Sequence, residues 1–287
     1  ALSHRWGLSR HLTTTKENLE DHFDKINMSN LPATFRDAVL VTRRLGIAYL
    51  WIDALCIVQN DEEWLHESEI MGDIFHGAVC TIAVHTAQDD SCGFLKEASQ
   101  PVSAIQAAKG PSDSQLFIST SSDFVRDVEN SSLSGRAWVL QERHLSQRLL
   151  HFTDSHIYWE DHKGIQSDMV PVQWPFKTFH LHCLPPYSSS SSIGAWREEN
   201  WKTLSRQWLK LVEMYSVCGI TKDKDKLPAI SGLAKRYHRV AGNGYLAGIW
   251  GENIHWGLLW SIKELIPSRP SYERAPSWSW ASSDGTI

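Results

Sequence analysis

The stretch from Ala48 to Asn60, AYLWIDALCIVQN, constrains the fold of this chain more than any other. Tyr49, Leu50, Trp51 and Ile52 form a short apolar run rich in aromatic and β-branched residues, the composition of a strand buried on both faces of a parallel sheet. Asp53 closes the run and sets a carboxylate at the strand's end, where open α/β sheets bind their ligands. The same carboxylate equally suits a cap on the next turn or a partner for a nearby arginine. Upstream, Pro32 suits a first helical position, and Phe35, Ala38, Val39, Thr42 and Leu45 recur at helical spacing. Gly46 ends that helix, so a strand at 48–53 follows it at once.

The flanking segments extend this unit. Ala1 to Ser3 reads as the tail of a first strand, and Thr14 to Ile26 as a short helix. Asn60 and Asp61 open a further helix with Trp64, Met71, Ile74 and Phe75 along one face, and Gly77 stops it. Val79 to His85 is then a third strand. Three strands joined by helices predict a parallel sheet with right-handed crossovers.

Beyond it lie a polar loop around Asp89–Gly93, a Gly110-Pro111 turn and a strand at Leu116–Ile118. A helix begins in Gly135–Arg143, and 148–152 with 156–160 predicts a hairpin. Residues 161–195, with four prolines and the run Ser188–Ser192, read as a loop or linker. Trp196 to Tyr215 is strongly amphipathic, a second helix runs from near Pro228 toward Val240, and a Trp-rich tail folds back as short strands. The expected organisation is an α/β core over about 1–160, the 161–195 connection, and a helical, Trp-rich region at 196–287 packed on the core.

Charge and cysteine content narrow the function. Net charge is −5, from 28 basic and 33 acidic residues with no dense basic run, which disfavours a nucleic-acid face. The five cysteines are scattered and form no CxxC pair. Cys56 and Cys80 sit in apolar runs and read as small buried hydrophobes. This usage predicts a reducing, cytoplasmic compartment. No apolar run is long enough to span a bilayer. The opening ALSHRWG reads as a strand's end, which predicts that the sequence starts inside a longer protein. His180-Leu181-His182-Cys183 lacks a second cluster, so no metal site is expected. Gly242-x-Gly244 lacks the third glycine of a dinucleotide fingerprint, and no G-x-S-x-G elbow occurs.

Two constellations carry chemistry. Ser3-His4-Arg5-Trp6-Gly7 is a polar, basic and aromatic loop after the first strand, suited to a nucleotide. Arg5 would meet phosphate, Trp6 would stack on a base, and Gly7 would admit close backbone approach. Alternatively, Trp6 is core and Arg5 pairs with Asp53. The second is Trp138-x-x-x-Glu142, whose spacing puts both residues on one helical face. A Glu held against an indole in a cleft is partly desolvated and well positioned, as a catalytic carboxylate must be. Pairing of Glu142 with Arg136 or Arg143 is the plainer alternative.

ALSHRWG, LPATFRDAVLVTRRLGIAYLWIDALCIVQND, and GRAWVLQER followed by LLHF and YWE together resemble the fungal HET domain, named for heterokaryon incompatibility. DKLPAISGLA, YLAGIW and APSWSWAS resemble the region that follows it in many fungal members. The resemblance implies non-self recognition and regulated cell death. HET domains are in turn distantly similar to TIR domains, which implies a flavodoxin-like parallel sheet flanked by helices, with a mainly helical extension. Some TIR domains cleave NAD with the glutamate of a Trp-x-x-x-Glu motif, a pattern matched by Trp138 and Glu142. The long segment between the third strand and Trp138 departs from TIR domains.

The resemblance therefore implies an NAD glycohydrolase with Glu142 as the catalytic residue. Ser3, His4, Arg5, Trp6, Gly7, Asp53 and Trp138 would bind the nucleotide, with NAD as substrate and no cofactor required. A non-enzymatic module acting by self-association and a hydrolase or biosynthetic enzyme on a reused scaffold stay open beside it.

Overall fold

The computed structural model describes residues 1–7, 12–59, 64–95, 105–109, 115–118, 122–168, 190–241, 244–265 and 274–287. Between β1 (Leu2–Ser3) and β2 (Thr81–Val84) come α1 (Leu19–Asp24), α2 (Ala33–Arg44), α3 (Asp53–Cys56) and α4 (Trp64–Gly77). β3 (Ile105–Lys109) and β4 (Gln115–Ile118) form a separate antiparallel pair, and a π-helical turn at Val125–Glu129 leads to α5 (Ala137–Leu145). Then follow β5 (Arg148–Phe152), β6 (Ile157–Asp161), β7 (Gly164–Ser167), α6 (Ser190–Ser216) and α7 (Pro228–Ala241).

Among the described residues, five strands form one sheet in the order β1-β2-β5-β6-β7. β1, β2 and β5 run parallel, whereas β6 and β7 turn back antiparallel. The sheet is therefore mixed, with helices flanking it and a helical C-terminal region, an α/β architecture. The hairpin expected at 148–160 is present, and β7 extends it beyond the boundary read at 160. Ser190–Ser192 begin α6, so part of the serine run is helical. Residues 169–189, including the His180–Cys183 run, lie outside the described residues, as does the Gly110-Pro111 turn.

The expected strand at 48–53 is not one. Tyr49 is 90% exposed, and Leu50 and Trp51 are half-buried, so this run is not covered on both faces. Its described tie to the sheet is a 2.9 Å hydrogen bond from the Leu2 N–H to the Trp51 carbonyl. The Ala1 amine and carbonyl face Cys80 and Ile82 instead, so Trp51 lies on the opposite edge of β1 from β2. β1 is two residues long, and so short an edge cannot template a full ladder. Asp53 then opens α3 rather than ending a strand.

α2 buries Thr34, Phe35, Ala38, Val41 and Thr42 against the sheet, close to the predicted stripe. Leu45 departs from it at 47% exposure, because the helix has ended and Gly46 turns the chain at φ +69°. Cys80 is buried as expected, but Cys56 is exposed at the end of α3. The run after Asp53 coils into a single turn and points the thiol outward, which alternation in a strand would not have done.

The C-terminal region packs on the N-terminal one through a shared core. Met71 and Phe75 of α4 and Ala137, Leu140 and Leu145 of α5 join Trp208, Leu211, Tyr215, Ile230, Leu233 and Tyr237. The Trp-rich tail forms β8 (Tyr245–Leu246), β9 (Ile249–Trp250), α8 (Ile254–Gly257), β10 (Glu264–Leu265) and β11 (Gly285–Thr286). Trp208 and Trp280 both donate to the Gly248 carbonyl, at 2.9 and 3.0 Å, so these indoles are packed and hydrogen-bonded.

α7 lies so close to α4 and α5 that a Cβ at Gly232 would sit 2.8 Å from Gln141 Oε1 and 3.0 Å from the Gly72 Cα. The Gly232 N–H donates to that same Oε1 at 2.7 Å. Gly232→Ala is expected to cost about 1–3 kcal/mol through overpacking, read as a lower urea midpoint at unchanged slope.

Candidate functional site

β1 ends at Ser3, and the chain passes through His4 to Gly7 at the carboxyl end of the parallel strands. His4 is buried, and its Nε2 lies 3.1 Å from Asp90 Oδ1, while Nδ1 lies 3.9 Å from Asp53 Oδ1. Burial opposes a charged imidazole here. The contact with Asp90 and the nearby charges of Asp53, Asp90 and Glu142 outweigh it, so the His4 pKa is raised. Asp53 is fixed from two sides: Trp6 Nε1 donates to Oδ2 at 2.8 Å, and the Ala54 N–H donates to Oδ1 at 2.7 Å.

Gly7 has φ +78°, and a Cβ there would collide with the Asp89 side chain. A residue with a left-handed backbone and no side chain is what this turn demands. The resulting contact keeps the 86–95 loop, and with it Asp90, against the first strand's end. The Asp90 carbonyl also accepts the Thr34 N–H at 2.9 Å, tying the loop to the start of α2.

Glu142 reaches this place from α5. Its carboxyl is buried, which raises the pKa from 4.5 to about 7. The Ser3 hydroxyl, the Arg136 guanidinium and His4 draw it back down, and Asp53 pushes it further up. Ser3 Oγ and Glu142 Oε2 are both buried without completing a hydrogen bond. Arg136, the residue before α5, donates from a terminal guanidinium nitrogen to the His4 carbonyl at 2.6 Å. Ser3, His4, Asp53 and Glu142 thus converge, although they come from separate parts of the chain.

Trp138 and Arg5 are placed differently. The Trp138 indole is directed to the C-terminal region, where Nε1 donates to Asp225 Oδ2 at 3.4 Å, and it packs against the core there. Arg5 is half-buried and makes no hydrogen bond or ion pair among the described residues. In particular, it is not the partner of Asp53. Arg136 and Asp90 went unassigned in the sequence reading. Arg136 stands in the GRAW segment and was weighed only as a partner for Glu142. Nothing in the run Asp89-Asp90-Ser91 marks Asp90 as the carboxylate that turns inward.

Electrostatically three carboxylates, an imidazole and a guanidinium come together here. It can place a carboxylate of adjustable charge beside a hydroxyl-bearing ligand, with Arg136 as a fixed cation. Among the described residues no group of His, Cys, Asp and Glu is arranged to hold a metal ion, and no helix is long and apolar enough to cross a membrane. Neither the comparison with curated proteins nor that with solved structures finds a match. Residues 1–142, the span from the first strand to Glu142, match the family model described as heterokaryon incompatibility protein (HET). Residues 1–142 of the chain are therefore a HET domain.

Proposed function

We propose that this HET domain acts in non-self recognition leading to cell death by binding and cleaving a nucleotide such as NAD, with Glu142 at the reacting centre. The observation that supports this most is the buried Glu142 carboxyl with the Ser3 hydroxyl close enough to lower its pKa, while neither Oε2 nor Ser3 Oγ completes a well-formed hydrogen bond. Such acceptors are what ribose hydroxyls satisfy. As the glycosidic bond to nicotinamide breaks, positive charge develops at the anomeric carbon, and the Glu142 carboxylate stabilises it. Water completes the cleavage. Arg136 and the Ser3–Gly7 backbone suit the pyrophosphate, and Arg5, half-buried with no described protein partner, is the side chain able to reach it. Asp53, held by Trp6, keeps His4 and the loop in place. The Trp-x-x-x-Glu resemblance to NAD-cleaving TIR domains agrees with this role for Glu142, whereas Trp138 serves by anchoring α5 to the C-terminal region.

Incubating the full chain with NAD, both dilute and artificially oligomerised, and measuring nicotinamide tests the reading. Glu142→Ala is expected to lower the rate by at least 100-fold. Because the carboxylate is the active form, the rate should rise with pH through about 7. Equal turnover by native and Glu142→Ala protein rejects the mechanism. No nicotinamide under either condition favours a module that signals by clustering alone.

A further inference from the structure

A second polar chain lies at the same end of the parallel strands, beyond the Glu142 site. Ser131 Oγ is 2.7 Å from His85 Nδ1, and His85 Nε2 is 2.9 Å from His151 Nδ1. His151 Nε2 in turn is 2.8 Å from Glu160 Oε2. The fully buried Glu160 carboxylate also accepts from Arg143 Nε at 3.1 Å and from a terminal Arg143 nitrogen at 3.3 Å. His85 directly follows β2, His151 belongs to β5 and Glu160 to β6, so the sheet register itself aligns the line.

The protons in this line can be assigned from its ends. Paired with a guanidinium, Glu160 only accepts, so His151 donates from Nε2 and its Nδ1 is an acceptor. His85 must then donate from Nε2, which leaves Nδ1 as a lone pair facing the Ser131 hydroxyl. The Ser134 N–H meets Ser131 Oγ at 3.2 Å, a contact that strengthens as the oxygen loses its proton. Ser134 Oγ is more distant, at 3.3 Å, so the shorter approach to His85 holds the hydroxyl proton.

We propose that Ser131 is a nucleophile activated by His85, with His151 and Glu160 as positioning residues, in a second site that hydrolyses carboxylic esters. A cavity of about 240 Å³ is lined by Ser134, whose hydroxyl is 3.3 Å from Ser131 Oγ, and by Val139, Leu140, Met214 and Val217, with Glu129 and Arg143 as its charged members. It suits a short apolar acyl chain. Ser131 Oγ bonds to the ester carbonyl carbon while its proton passes to His85 Nδ1. The carbon–oxygen bond to the alcohol then breaks, and His85 returns the proton to the leaving alkoxide. Water, deprotonated by the same nitrogen, cleaves the acyl–serine and restores the hydroxyl.

Burial lowers the His85 pKa well below its ordinary value, and His151 and Arg143 lower it further against the pull of Glu160. His85 is therefore neutral at pH 7, with Nδ1 free to accept a proton. The full chain, treated with a fluorophosphonate probe, is expected to carry the adduct on Ser131 when mapped by peptide mass spectrometry. Ser131→Ala should lose that adduct and hydrolyse p-nitrophenyl butyrate at least 100-fold more slowly, as removal of an activated nucleophile requires. His85→Gln should lower labelling by a similar factor. In the native protein labelling should stay flat from pH 8 to about pH 6.5, which a packing role for His85 would not produce. Native protein with no adduct on Ser131, or Ser131→Ala retaining full esterase activity, overturns the proposal. Neither outcome depends on the folding of the His85 variant.

Discussion

Glu142→Gln is expected to be more stable than the native protein at pH 8, by about 3 kcal/mol, with the difference vanishing near pH 4. The cause is the buried carboxyl, whose pKa is about 7 in the folded protein against 4.5 for the ordinary value. Between those values the folded state binds more protons than the unfolded one. Native stability must therefore fall as pH rises from about 4.5 to 7, and the loss is complete above that window. Gln has the same shape and no charge to ionise, so it escapes this loss. Urea midpoints of both proteins at half-unit steps from pH 4 to 8.5 isolate the Glu142 contribution from all other titrating groups. A difference that is flat across the range would show that the folded protein does not hold this carboxyl out of water. The expectation also separates function from fold: a variant that removes the carboxylate proposed to act on the nucleotide should be the better folded protein.

Arg143→Met is expected to have the opposite character, lowering stability by about 3–5 kcal/mol near neutral pH. Arg143 is 12% exposed at its side chain, and its partner Glu160 is fully buried. The guanidinium also lies over the Phe124 ring, 5.2 Å from its centre, and 3.9 Å from Glu129. Methionine keeps much of the stem's packing but takes the guanidinium away from the buried Glu160 carboxylate. Adding Glu160→Gln to Arg143→Met should recover a large part of the loss, since the cost arises from burying a carboxylate that has lost its guanidinium. Denaturant unfolding of the two single variants and the double variant measures this coupling. A single-variant loss below about 1 kcal/mol would mean the ion pair is replaceable by solvent.

Much of the architecture was readable because periodicity follows burial. The stripes of α2 and α6, the β5–β6 hairpin and the third strand all lie where local pattern puts them. The segment 48–52 failed for a physical reason. An apolar run reports a tendency to be buried, but a strand also needs a neighbour to bond, and β1 offers one bond at Trp51. The short β7 was missed because Gly164–Ser167 has neither alternation nor β-branched richness. It is held by its register with β6, which only the folded hairpin supplies.

The site divides in the same way. Ser3, His4 and Asp53 were named from their chemistry at element ends and Glu142 from its helical spacing with Trp138, and the fold brings the four together. The side chains' directions were decided elsewhere. Trp138 turns to Asp225, some 90 residues along the chain, and Arg136 rather than Arg5 supplies the guanidinium that acts on Glu142. The line from Ser131 through His85 and His151 to Glu160 has no signature at all in the sequence, because its members share no local spacing. It exists because parallel pairing of β2 with β5 and antiparallel pairing of β5 with β6 bring His85, His151 and Glu160 side by side. By itself, then, the sequence determined most of the long helices, the β5–β6 hairpin and the HET domain over residues 1–142. Tertiary structure alone decided which residues meet and how far water is excluded from them. Local periodicity is set by neighbours three or four residues apart, whereas charge and protonation are set by neighbours in space.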